Sequence, residues 1–245
     1  GHSARKAKRY RPWEGGAPLL ENPGVDQDYW DSWELVAPSA IPGGANDPTP
    51  RALSNQEVKD LVEMWGQAAR RANECGFEVL EIHGAHGYCV HQFLSPQANL
   101  RNDEYGGSEE NRMRFCLEVT ESVRAHWPDD KPLFLRLSCE DRAGWDLDAS
   151  IRLSKKVKPL GVDVIDCSGG GMQGSPTEFA PTYGYQVPYS DGIRREADIL
   201  TMAVGLIVHA EQSEEILRRG QADIIALARE ILYNPNWPMD AARKL

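Results

Sequence analysis

The sequence predicts an α/β fold, and within that class a parallel (β/α)8 TIM barrel of which roughly the last five to six β/α units are present. Three observations lead there. Apolar runs of four to seven residues alternate with amphipathic helical stretches, the pattern of βαβ units around a parallel sheet. Each run ends in a polar or glycine-bearing turn, at His83, Ser138, Ser168, Gly205 and Arg229, as in the turns that line the active face of a barrel. The glycine-rich phosphate turn expected after the first strand of a doubly wound open sheet is missing.

Residues 14–53 are rich in Gly, Pro, Asn and Trp without a sustained period, which predicts a long loop with room for a short hairpin, of the length that usually carries function. Ser54 and Glu57 then form a capping box, and Val58, Leu61, Val62, Trp65, Ala68, Ala69 and Ala72 mark the buried face of a helix ending at Cys75-Gly76. FEVLEIH is the first strand. A helix over 110–126 stops at Trp127-Pro128, and LFLRLS at 133–138 is the second strand. A helix over 148–160 ends at Gly161, and VDVIDCS is the third strand, followed by Gly169-Gly170-Gly171. A helix near 189–196, the strand LTMAVG at 200–205, a helix over 210–219, the strand ADIIALA at 222–228 and two short helices complete the chain. Five strands fall short of eight, so 1–245 is expected to be a single barrel domain, N-terminally incomplete, with further units upstream.

Composition narrows the function. The net charge of −10 argues against nucleic acid, which needs a basic face to displace counterions. No run of about 18 apolar residues predicts a membrane helix. The opening GHSARKAKRYRPW is basic but has no amphipathic apolar face, so it is expected to be folded protein and not a targeting segment. Five cysteines without CxxC spacing fit a reduced, cytoplasmic compartment better than a disulfide or zinc framework.

The densest chemistry is EIHGAHGYCVHQF, with three of the six histidines in nine residues. His83 and His86, three apart on a turn leaving a strand, can both reach one ligand oxygen and polarise a carbonyl. Tyr88 beside them can act as a general acid. A metal would need a third ligand, and among the strand ends only Asp166 offers a carboxylate. The alternative is that both histidines are core residues satisfied by backbone groups. His91 is expected to be a packing or hydrogen-bonding residue. At the last two strand ends, Gly205, Ala228 and Arg229 could grip a phosphate through backbone N–H groups and a guanidinium, or could be a turn glycine and a surface ion pair. Arg136, inside an apolar strand, needs an acceptor, either a carboxylate or the electron-rich edge of a cofactor.

The string IHGAHGYCVHQFLSPQANLRNDEYGGSEENRMRF resembles the signature of the Old Yellow Enzyme family, the FMN-dependent NAD(P)H:flavin oxidoreductases. GHSARK, RPWEGG, LFLRLS and VGLI with ADIIALARE extend the resemblance over nearly the whole chain. It implies that His83 and His86 hydrogen-bond a carbonyl or nitro oxygen of the substrate and that Tyr88 delivers a proton to the alkene carbon. It implies that Arg136 lies against the flavin N1/O2 edge and that Gly205, Ala228 and Arg229 hold the FMN phosphate. FMN would be bound noncovalently, with NAD(P)H as hydride donor and a small molecule carrying an activated C=C or nitro group as acceptor, in a ping-pong cycle on a homo-oligomer. Two alanines, Ala228 and Ala4, stand where that family commonly has glycine. The competing expectations are a metal-dependent hydrolase using His83 and His86, and a catalytically silent barrel fragment.

Overall fold

The structure, a computed structural model, describes residues 3–10, 14, 17–19, 24–172 and 181–245. Gly1, His2 and most of RPWEGG lie outside the described residues.

Five parallel strands form the central sheet: β3 (Leu80–Gly84), β4 (Leu133–Ser138), β5 (Val164–Ser168), β6 (Leu200–Ala203) and β7 (Ile224–Ile225). Their spatial order follows the sequence without reversal. A doubly wound sheet reverses its strand order at a switch point; strictly sequential neighbours are the winding of a (β/α)8 barrel.

Period-2 alternation divides the sheet into two faces. Ile82, Leu133, Leu135, Leu137, Ile165 and Cys167 are buried against helices. Glu81, His83, Phe134, Arg136, Asp166 and Met202 point to the other face, the lumen side of the barrel, in rows fixed by the register. The charged residues of these five strands, Glu81, Arg136 and Asp166, are all on the lumen side.

The helices over the outer face are α2 (Asn55–Glu74), α4 (Glu109–His126), α5 (Leu147–Val157), α6 (Val187–Ala197) and α7 (Ala210–Arg218). Ser54 caps α2 as expected: its hydroxyl accepts from Glu57 N–H while Glu57 reaches back to the Ser54 backbone N–H at 2.8 Å. Gly66 faces α4, and a Cβ there would lie 2.4 Å from Ser122 Oγ, so the glycine lets the two helices approach closely. Phe93 stacks on Phe115 with ring centroids 4.2 Å apart, joining α3 (Cys89–Leu94) to α4 in the core.

Near the start of 14–53 Pro18 bridges antiparallel to Arg9, with Tyr10 N–H donating to Ala17 C=O at 2.9 Å and Leu19 N–H to Lys8 C=O at 3.1 Å. Further on, β1 (Val36–Ala37) pairs with β2 (Arg51–Ala52) in parallel, both strands running the same way while the intervening chain crosses over. A short helix, α1 (Gln27–Ser32), precedes β1, capped by Asp26. The last strand is two residues long where seven were expected, because its ladder lasts only as far as β6 supplies partners; one further bond, from Ala226 N–H to Ala203 C=O at 2.8 Å, ends it. The chain then bends at Ala228 into α8 (Arg229–Tyr233), followed by α9 (Trp237–Lys244).

Arg101 fastens the long loop to the domain. Its guanidinium donates to the carbonyls of Pro38 and Leu53 and to Asn55 Oδ1, and pairs with Asp103 through Nε at 3.1 Å and Nη2 at 2.7 Å. Leu53 and Asn55 flank the cap of α2, so one side chain holds the loop and the helix start together.

Candidate active site

The residues expected to carry chemistry meet at the C-terminal end of β3. His83 is the penultimate residue of that strand, and His86 and Tyr88 sit on the turn into α3. The His83 and His86 ring centroids are 5.3 Å apart, and His83 and Tyr88 5.6 Å. His86 adopts a left-handed backbone with φ 59°, uncommon for a residue with a Cβ. Neighbours hold it there: its N–H donates to Ser138 Oγ at 2.8 Å and its carbonyl accepts from Lys6 Nζ at 2.8 Å.

The turn lies against the loop after β5. A Cβ on Gly87 would sit 2.1 Å from Gly171 C=O, and one on Gly171 would sit 2.3 Å from His86 Cα. Both glycines have positive φ, so contact and conformation together require glycine at each. Ser138 Oγ donates to Gly170 C=O at 2.7 Å, and Lys6 Nζ donates to Gly171 C=O at 2.9 Å. Ser138 and Lys6 therefore each bridge the two loops.

His86 Nε2 lies 2.7 Å from Ser168 Oγ, whose hydroxyl is also 3.2 Å from Gln186 Oε1. If Ser168 donates to Gln186, His86 carries its proton on Nε2 and presents Nδ1 as an acceptor; if Ser168 donates to His86, Nδ1 carries the proton. Either way one nitrogen is engaged within the protein, where the sequence alone suggested that both histidines point at a ligand. Burial, then the charges of Arg136, His83, His91 and Lys6, lower the His86 pKa to about 3, so the ring is neutral at physiological pH. Burial raises the pKa of Tyr88 and nearby Arg9 opposes the rise, keeping the phenol protonated. The site holds a neutral imidazole next to a protonated phenol.

His83, Arg136, Asp166 and Met202 form one row across β3–β6. Arg136 Nε pairs with Asp166 Oδ2 at 3.1 Å, which supplies the carboxylate acceptor the arginine needs. Asp166 is buried and raised to about 6, first by burial, against the pull of Arg136. Glu81, on the same face two residues before His83, is raised to about 7 by burial and then by Asp166. Period-2 spacing from His83 could have placed Glu81 here. Lys6 lies in the GHSARK stretch of the resemblance, but no spacing in the sequence ties it to this turn.

His91 is on the other side of the turn and fully buried, with Nδ1 accepting from Gly87 N–H at 2.8 Å and Nε2 3.6 Å from Asp141 Oδ2. Gly205, at φ 116°, follows β6, and a Cβ there would come within 2.9 Å of Gln186 Nε2. Ala228 and Arg229 follow the adjacent strand β7, both exposed at the start of α8. Among the described residues no group of three or more His, Cys, Asp or Glu side chains is placed to hold a metal ion.

A profile described as the NADH:flavin oxidoreductase / NADH oxidase family matches residues 21–245. The chain belongs to that family. An NADPH dehydrogenase from Geobacillus sp. (strain WCH70) is 47% identical over 214 residues, covering 86% of this chain and 62% of that protein. The NADPH dehydrogenase of Bacillus subtilis (strain 168) is 45% identical with the same coverage. The chain thus spans about three-fifths of the length of these relatives. Among solved structures, morphinone reductase superposes with a TM-score of 0.73 at 26% identity over 87% of this chain and 60% of that one. Histamine dehydrogenase from Rhizobium sp. 4-9 superposes with a TM-score of 0.77 at 30% identity, over 89% and 32% respectively.

In the chain of this flavin oxidoreductase family member, no helix among the described residues is long and apolar enough to cross a membrane.

Proposed function

We propose that the protein is an FMN-dependent oxidoreductase that takes hydride from NAD(P)H and reduces an activated alkene of the enone type, or a nitro compound, by a ping-pong mechanism. The observation that carries this reading is the grouping of His83, His86 and Tyr88 at the strand end next to the Arg136 row. The row fits a flavin: Arg136 is half-exposed toward the lumen although already paired with Asp166, so it can offer a further N–H to a cofactor edge. In this reading Gly205, Ala228 and Arg229 hold the phosphate, and the methyl of Ala228 leaves its N–H available. FMN, when bound, would store the hydride taken from the nicotinamide and return it to the acceptor.

The protein's own residues act on the acceptor. His83, with the Nδ1–H that His86 carries when Ser168 donates to its Nε2, holds the carbonyl or nitro oxygen and withdraws charge, which makes the β-carbon of an enone electrophilic. Tyr88 gives its phenolic proton to the carbon that becomes nucleophilic when the β-carbon is reduced. Removing one donor to the oxygen is expected to lower the rate on the order of 10²-fold. The membership of a family with NADPH dehydrogenases supports the nucleotide, and a cytoplasmic homo-oligomer belongs to the same reading.

The test is anaerobic stopped-flow of the purified protein with NADPH and NADH, followed by reoxidation with a panel of enones and nitro compounds. Bleaching of a yellow protein by one nucleotide, recovery of colour with an enone, and parallel double-reciprocal plots are expected. A colourless protein that also fails to take up added FMN would overturn the reading.

A further inference from the structure

We propose that Lys6 is a positioning residue for substrate reduction: its ammonium clamps the turn carrying His86 and Tyr88 onto the glycine loop after β5, and so fixes where the two side chains stand. The inference rests on the function proposed above and adds to it a residue outside the signature string.

Lys6 reaches the site from a 3-10 turn far away in sequence, Ala4–Lys6. It donates to His86 C=O at 2.8 Å and to Gly171 C=O at 2.9 Å, and its Nζ lies 5.0 Å from the centroid of the Tyr88 ring. One cation thus touches the backbone of one functional residue and the ring face of another. The turn it holds is not at rest by itself, since His86 is held in a left-handed conformation. The Gly87–Gly171 contact has no slack, as a Cβ on either would collide with the backbone opposite. Loss of the clamp would let the turn relax away from Gly171, carrying His86 and Tyr88 with it. Charge-assisted bonds to two carbonyls are roughly twice as strong as neutral ones, and a displacement of about 1 Å at a reacting group can lower a rate 10²-fold. The ammonium sits among Arg5, Arg9, Tyr88 and His86, and burial with the two arginines lowers its pKa to about 8, so it is a cation at neutral pH.

The experiment compares Lys6→Met, Lys6→Gln and Lys6→Arg with the parent holoenzyme on two acceptors. An enone needs the oxygen held and the Tyr88 proton; ferricyanide accepts electrons singly and needs neither. The expected result for K6M is a fall of about tenfold or more in enone kcat/KM with ferricyanide turnover within about twofold of the parent. A matching loss of affinity for a phenol, followed by its perturbation of the flavin spectrum, is expected as well, and K6R should recover part of both. Equal losses on both acceptors, or no loss on either, would overturn the clamp and indicate a general structural role or none. Should K6M not fold, K6Q decides: its shorter amide reaches at most one carbonyl, so an unchanged enone-to-ferricyanide ratio in folded K6Q refutes the proposal. A parent protein that neither nucleotide reduces would instead refute the proposed function before any variant is compared.

Discussion

Gly87→Ala is the substitution whose effect the structure specifies most sharply. A Cβ at Gly87 would lie 2.1 Å from Gly171 C=O, with the residue at φ 75°. An ordinary carbon–oxygen contact is about 3.3 Å, so the two loops must part by roughly 1 Å. Left-handed backbone costs an L-residue about 1–2 kcal/mol, and overpacking against a fixed neighbour adds about 1–3 kcal/mol. Together these give a loss of about 2–5 kcal/mol, which for a domain of this size lowers Tm by roughly 5–15 °C. The same displacement moves His86 and Tyr88, and is expected to lower enone turnover about 10²-fold. Differential scanning calorimetry and steady-state kinetics on the holoenzyme measure both. A variant with Tm within about 2 °C of the parent and unchanged turnover would show that the two loops do not touch in solution as described.

Glu81→Gln tests the lumen carboxylates. With folded values raised to about 7 for Glu81 and about 6 for Asp166, the native state binds more protons than the unfolded chain between about pH 4 and 7, so these groups make stability fall as pH rises through that window. The neutral His86 works in the opposite direction, so the comparison is between variant and parent: E81Q should gain on the parent as pH rises from about 4.5 to 7, by about 1 kcal/mol, because solvent reaching Glu81 screens the burial effect. A Tm difference independent of pH would contradict it. Ser54→Ala removes one side of the capping box and should cost about 1 kcal/mol, read as a small drop in urea midpoint with unchanged slope. Asp141→Ala strands the buried His91 and the N–H groups of Ala143 and Trp145, which donate to Asp141 at 2.6 and 3.0 Å. Burial lowers the His91 pKa and leaves the ring neutral, so what is lost is hydrogen bonding and not an ion pair: the variant should be destabilised by about 1–3 kcal/mol for a buried donor left without its acceptor, and a Tm matching the parent's would refute the assigned role.

Strand β4 was legible residue by residue because Leu133, Leu135 and Leu137 alternate with lumen-facing Phe134 and Arg136, a pattern that needs no partner to be recognised. The extent of β7 was not, since the apolar run ADIIALA has no mark for where β6 ceases to pair. The parallel β1–β2 pair was equally hidden, because two-residue strands have no period. In the site, His83, His86 and Tyr88 could be grouped because they are neighbours on one turn. The engagement of His86 Nε2 by Ser168 spans 82 positions and depends on two strand ends meeting. Ala4, where the sequence suggested that glycine is commoner, has φ 67°, so the conformation that favours glycine is retained although the residue is alanine.

Arg101 has a consequence for how this protein can change. Two of its partners in the long loop are main-chain carbonyls, of Pro38 and Leu53, and every residue type supplies a carbonyl. These two moorings therefore depend on the path of the backbone at 38 and 53 and on no particular side chain there. The guanidinium has no such latitude: lysine could not span the same acceptors and the Asp103 fork at once. Substitution is expected to be tolerated at the two carbonyl moorings and barred at Arg101, so that the loop can be rewritten there without loosening its anchor.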